Sequence, residues 1–177
     1  MHDIFVSKPS KMMNDIQTKL YDKFQSVLDS RRLRLRSLGT TDYSNKAPLF
    51  GVLRILKQCR GIIILGMRQT CVMASLSRDG TSMGEFYLPT EWNNLEAGIA
   101  FALKLPMLII CENGIGGGVF DRGVTDLYIH HDNLPTENIK GSATKLITKY
   151  FESEQFLQPF KEWYRDVVLF ASKRKHT

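Results

Sequence analysis

The segment GIIILG, Gly61 to Gly66, is a continuous apolar run closed by glycine at both ends. An amphipathic helix, or a strand with one wet face, would interrupt such a run with polar residues every few positions. A short strand buried on both faces has no need to, and such strands belong to parallel sheets covered by helices. PMLIIC, Pro106 to Cys111, repeats the pattern. Between the two runs lies EWNNLEAGIAFAL, whose apolar positions follow helical spacing after a Thr90 N-cap.

The remaining segments extend this alternation. DIFVS, Asp3 to Ser7, reads as a first strand ended by Pro9. Ser10 is the expected N-cap of a helix from Lys11 to about Leu28, carried by Met13, Ile16, Leu20, Phe24, Val27 and Leu28. A basic strand from Leu33 to Leu38 follows, then a polar loop, TTDYSNKAP, and a helix from Leu49 to Cys59. Met67 to Leu88 is expected to be one long loop, and a connection of that length is more often functional than not. LYIHH suggests a short fifth strand, and two helical segments, Glu137 to Tyr150 and Glu154 to about Lys173, end the chain. The expected fold is therefore α/β: a three-layer open parallel sheet with helices on both faces and a C-terminal helical extension. In such sheets ligands bind outside the carboxyl ends of the strands, where SKPS, TTDYSNK, RQT and ENG would gather.

Charge and cysteine usage exclude several classes. The net charge is +6 with a pI of about 9.3. Its clusters, however, are Arg32, Arg34 and Arg36 alternating with leucines, as on a strand with one solvated face, and the tail SKRKHT. Neither interleaves aromatic residues, which argues against a nucleic-acid groove. Cys59, Cys71 and Cys111 form no C-x-x-C unit, and adjacent His130 and His131 would point to opposite sides of a strand, so no metal site is expected. The apolar runs are too short to span a bilayer, and the N-terminus reads directly as a strand, so a cytoplasmic location is expected. GIGGG near Gly116 lacks the strand-helix context and lysine of a phosphate loop, but its position after a strand allows a lid.

Glu96 is the residue out of place. On a helical wheel Trp92, Ile99 and Leu103 define one apolar stripe, and Glu96 falls within it. A carboxylate taken from water needs a partner or a raised pKa. Three readings stay open: an ion pair with a basic neighbour such as Arg68, a side chain edging into solvent, or a carboxylate facing a cleft at the strand-end rim.

At these residues the chain resembles TIR domains. DIFVS is similar to their first-strand motif, and LGTTDYSNKAP holds the place of the loop that borders their substrate pocket. In EWNNLEAGIAFAL, Trp92 precedes Glu96 by the four positions that separate the family's Trp from its functional Glu. Asn93 stands where the family often has Cys. EAGIAFAL also resembles nucleoside 2-deoxyribosyltransferases, with Glu96, Gly98 and Ala100 matching and Phe101 offset. The resemblance covers about Met1 to Glu112.

It implies a TIR-like, flavodoxin-like nucleotide-binding domain over residues 1–135. Helices over 136–177 would pack on it or on a partner subunit. It also implies Glu96 as the catalytic residue, acting on a ribosyl carbon, with Ser7, Lys8, Asp42, Tyr43, Arg68, Trp92 and Asn93 as substrate-binding candidates. Trp92 or Tyr43 would stack on a ring, Asn93 or Asp42 would bind ribose hydroxyls, and Lys8 or Arg68 would meet phosphate. Each also has a plain structural reading: Trp92 as a core anchor, Tyr43 as a loop residue, and the cations as surface charge. The implied partner is a nucleotide such as NAD, as substrate or ligand, with no separate cofactor, and self-association as a homo-oligomer. The activities in view are NAD glycohydrolase or cyclase, deoxyribosyl transfer, a non-catalytic nucleotide sensor and a self-associating scaffold.

Overall fold

A computed structural model describes residues 1–10, 13–45, 47–121, 123–125, 128–131 and 143–173. Its elements, in chain order, are β1 (His2–Ser7), α1 (Asp15–Ser30), β2 (Leu33–Arg36), α2 (Pro48–Leu56) and β3 (Gly61–Gly66). Four short strands follow: β4 (Thr70–Val72), β5 (Ser75–Leu76), β6 (Ser82–Met83) and β7 (Phe86–Leu88). Then come α3 (Glu91–Ala102), β8 (Met107–Glu112), a 3-10 turn (Gly118–Phe120), β9 (Tyr128–His131), α4 (Ala143–Glu152) and α5 (Glu154–Lys173).

The main sheet has five strands in the order β2-β1-β3-β8-β9, every neighbouring pair parallel. Because strand side chains alternate, each buried strand feeds two cores. Ile62 and Ile64 of β3 join Phe5, Ile109, Val52, Ile55, Ala97 and Ala100 on the α2–α3 side. Ile63 and Leu65 join Ile4, Val6, Phe24, Ile110 and the C-terminal helices on the other. This is the three-layer arrangement expected, and both faces of GIIILG are dry.

The C-terminal helices lie on the α1 face as part of that core. Ile147 and Phe151 of α4 and Phe156, Phe160, Trp163 and Val167 of α5 are buried there. Phe24, Phe151, Phe156, Phe160 and Trp163 form a chain of ring contacts, which add to the burial of their large apolar areas. Trp163 Nε1 donates to the Pro106 carbonyl at 3.1 Å, pinning α5 where β8 begins. The expected boundary between residues 135 and 136, the helix start at Glu137 and the end of the basic tail lie outside the described residues.

Several elements differ from expectation for identifiable reasons. α1 is capped by Asn14, not Ser10: Asn14 Oδ1 accepts from the Ile16 and Gln17 amides, and Gln17 Oε1 accepts from the Asn14 amide. That reciprocal capping box outranks a lone serine upstream. The expected start at Lys11 lies outside the described residues. β2 stops at Arg36, and Leu38 makes only an isolated bridge to Asp42. Residues 67–88 are no plain loop but two antiparallel pairs, β4–β7 and β5–β6, stacked outward from the end of β3. Strands of two or three residues are too short to show a two-residue period. Cys71 thus sits in β4 and is exposed, while Cys59 and Cys111 are buried.

Candidate functional site

The site forms where the strand order reverses, outside the carboxyl ends of β1 and β2 and between α2 and α3. Ser7, last in β1, points to the same face as Phe5 and so toward α3. Thr90 caps α3 with its hydroxyl accepting from the Trp92 amide. The buried face of that helix is Asn93, Glu96, Ala97 and Ala100, rather than the expected stripe through Trp92, Ile99 and Leu103. Small alanines bring the helix backbone close to the sheet, while Ile99 and Leu103 pack partly buried against the same core and Trp92 turns outward. Trp92 is 39% exposed.

Glu96 is 8% exposed and lines a cavity of about 400 Å³. Burial pushes its carboxyl from an ordinary 4.5 up to about 7, opposed by a hydrogen bond from the Ser7 hydroxyl. Ser7, itself 1% exposed, accepts from Asn93 Nδ2 at 2.7 Å. Among the described residues Glu96 has no ion pair. Arg68, the neighbour considered for it, lies 4.0 Å over the Tyr87 ring with Nε donating to the Asn113 carbonyl at 2.8 Å. The open-cleft reading of Glu96 therefore stands, and the ion pair with Arg68 does not.

The rest of the wall is contributed by four segments. Lys8 and Ser10 come from the turn after β1, and Ser37, Leu38, Gly39, Tyr43 and Ser44 from the loop after β2. Pro48 and Val52 of α2 and Thr90 and Trp92 of α3 complete it. Lys8 is half-buried, with Nζ donating to the Pro9 carbonyl at 3.3 Å and lying 4.8 Å from the centroid of the Tyr21 ring. Burial lowers its pKa, and it forms no ion pair among the described residues. Tyr43 is 74% exposed at the mouth.

The loop after β2 is braced from behind. Arg36 bridges Asp3 at 2.9 Å and Asp42 at 2.7 Å, so it is an internal tie and not part of a solvated strand face. The Arg36 guanidinium beside Asp42 holds that carboxyl below the usual range. Gly39, at φ 77°, closes the turn by donating to the Asp42 carbonyl. A Cβ on Gly51 would stand 2.9 Å from the Ser44 Cβ, so α2 needs glycine there for this loop to approach.

Of the sequence-derived candidates, the structure brings Lys8, Tyr43, Trp92 and Glu96 to one cavity, with Ser7 and Asn93 buried directly behind. It leaves Arg68 and Asp42 outside the wall. The hydroxyls of Ser10, Ser37, Ser44 and Thr90 were not among the site candidates: Ser10 and Thr90 drew notice only as expected helix caps, Ser37 lies just past β2, and Ser44 lies within the following loop. Sequence reasoning also passed over Glu112, which accepts from the Arg68 amide at 2.6 Å and from Gln17 Nε2 at 3.1 and 3.2 Å. The glycine-rich turn is no lid over Glu96. Asn94 Oδ1 accepts from the Val119 amide at 2.9 Å, tying that turn to α3 away from the cavity.

Among the described residues no group of His, Cys, Asp and Glu could hold a metal ion, and no helix is long and apolar enough to cross a membrane. The side chains of His130 and His131 lie outside the described residues. No family model and no curated protein matches the sequence. Among solved structures, the TIR domains of the activated Roq1 resistosome directly recognizing the pathogen effector XopQ align with 97% of this chain and 84% of that chain. At 9% identity and a TM-score of 0.41 that likeness carries no functional inference, and the fold assignment rests on the topology above.

Proposed function

We propose that the chain binds a nucleotide in the Glu96 cavity and cleaves an N-glycosidic bond there, with NAD as the substrate. The observation that carries this reading is a buried carboxylate facing a cavity with, among the described residues, one hydroxyl donor and no cation paired to it. A single hydroxyl cannot saturate a carboxylate, which offers about four lone-pair sites. The unsatisfied remainder is a negative site in low dielectric, suited to a positive charge that forms during reaction.

The number of acids in the wall favours NAD over a neutral nucleoside. Glycoside hydrolysis with a poor leaving group calls for two carboxyl groups, one to protonate it and one to act on the sugar. Glu96 is the one carboxylate among the described residues that line this cavity. Nicotinamide in NAD is already cationic on its ring nitrogen. When the bond from that nitrogen to ribose C1′ breaks, the electron pair leaves with a neutral base and needs no proton. The ribosyl cation left behind faces Glu96, and water captures it to give ADP-ribose and a proton. Trp92 and Tyr43 supply faces for stacking, the wall hydroxyls meet the sugar, and Lys8 meets a phosphate. The motif spacing of Trp92 and Glu96 supports the same reading.

The test is release of free nicotinamide from NAD, followed by chromatography over a range of protein concentrations, since self-association is implied by the same resemblance. Wild type releases it, and Glu96→Gln lowers the rate at least about 100-fold. Equal release by that variant, or none by concentrated wild type, overturns the assignment. Thermal shift with NAD separates binding without cleavage from no binding.

A further inference from the structure

The hydrogen bonds behind Glu96 have a direction set by proton count. A serine hydroxyl has one proton to give and two lone pairs. Asn93 Nδ2 donates to Ser7 Oγ at 2.7 Å, so the hydroxyl acts toward Asn93 as an acceptor and keeps its own proton to give to Glu96, which shares the buried face of α3 with Asn93. Asn93 is 0% exposed, and its Oδ1 is buried with no hydrogen-bond partner. An orphaned buried amide oxygen is destabilising. Packing alone would favour an apolar side chain there, as at neighbouring Ala97 and Ala100. The amide forgoes one bond while presenting its NH2 to Ser7.

We propose that Ser7 and Asn93 are positioning residues: a buried donor chain, amide to hydroxyl to carboxylate, that fixes Glu96 with its remaining lone pairs facing the cavity. This rests on the reading of Glu96 as the anion that acts on the sugar. It reassigns Asn93 and Ser7 from substrate contacts to the machinery behind the wall, because neither lines the cavity. Locking the hydroxyl proton onto the carboxylate does two things. It removes rotational freedom from Glu96, so that little reorganisation is left for the reaction itself. It also favours the ionised form against burial, since a hydrogen bond to the charged state stabilises that state. Among the described residues the other titratable groups on the cavity wall are Lys8, from the turn after β1, and Tyr43, from the loop after β2; α2 contributes none.

Carbon-13 NMR titration of the Glu96 carboxyl in ligand-free protein tests the chain without reference to turnover. Ser7→Ala raises the midpoint by about one pH unit, and Ser7→Thr, which keeps the hydroxyl, leaves it within a few tenths. Asn93→Leu raises it by less than Ser7→Ala, and has no further effect once Ser7 is alanine. In nicotinamide release, Ser7→Ala lowers kcat about tenfold near neutrality with KM little changed, and moves the acid limb of the pH profile upward; Ser7→Thr restores both. An unmoved Glu96 midpoint in folded Ser7→Ala overturns the proposal, as does an additive effect of Asn93→Leu in that background. If wild type releases no nicotinamide, the function proposed above fails while the titration still decides the chain. If Asn93→Leu does not fold, the alanine and threonine variants of Ser7 decide it.

Discussion

Two desolvated carboxylates stand near the carboxyl-terminal edge of the sheet, and their surroundings differ in kind. Glu112, at the end of β8, accepts from the Arg68 amide and from Gln17 Nε2, so it ties β8, the end of β3 and α1 together. Glu96, on α3, has the Ser7 hydroxyl behind it and a cavity in front. Burial raises the pKa of both, opposed at Glu112 by the Arg68 amide and Gln17 and at Glu96 by Ser7. A carboxylate used as a joint is surrounded by donors from the elements it joins. One left under-supplied beside an empty volume does not serve the fold, and that contrast separates a structural acid from a candidate catalytic one.

The largest effect that can break this contrast is on turnover. Glu96→Ala lowers nicotinamide release at least about 100-fold, while Glu112→Ala stays within about fivefold at a temperature where both are folded. Comparable losses from the two would erase the distinction.

Stability runs the other way. The folded pKa of Glu96 lies above the unfolded one, so between an ordinary 4.5 and about 7 the unfolded chain holds fewer protons than the native one. Stability from this group is complete below that window and lost as pH rises through it. Glu96→Gln therefore gains up to about 3 kcal/mol over wild type above the window, and the gain vanishes below it. Urea melts on either side of the window measure this; a pH-independent difference would mean that Glu96 does not titrate in the fold as described.

Glu112→Ala, in contrast, removes the acceptor of the Arg68 amide and of Gln17, and loses about 1–3 kcal/mol in the same melts. An unchanged midpoint would mean the joint is not one. The smallest effect belongs to the brace behind the cavity. Asp42→Asn weakens its tie to Arg36 and raises KM for NAD about two- to fivefold with kcat nearly unchanged, read from initial rates; a loss confined to kcat would place Asp42 in the chemistry instead.

GIIILG and MLIIC were legible because nothing but a doubly buried strand suits an uninterrupted apolar run of that length. The Thr90 cap and the span of α5 followed from local chemistry and helical period. The face of α3 did not. Hydropathy gives weight to Trp92 and Ile99, whereas the surface that docks is made of alanines, an asparagine and a glutamate, chosen by closeness of approach. The partner of Arg36 was hidden for a similar reason: alternation with leucine describes a strand, but only the packed loop brings Asp42 beside it. Glu96 stood out because it broke a pattern. Glu112 ended one and so looked ordinary.

Gly61–Gly66 hydrogen-bonds along both edges, to β1 on one side and β8 on the other. The first partner precedes it in the chain; the second is reached only after the antiparallel excursion and α3 have been made. A nascent chain therefore carries its stickiest segment with one edge bare for that whole interval, open to pairing with another copy. The yield of soluble protein then depends less on final stability than on how quickly Met107–Glu112 arrives. Slowing elongation through residues 67–106, or lengthening that stretch, would raise misassembly even though the finished molecule is unaltered.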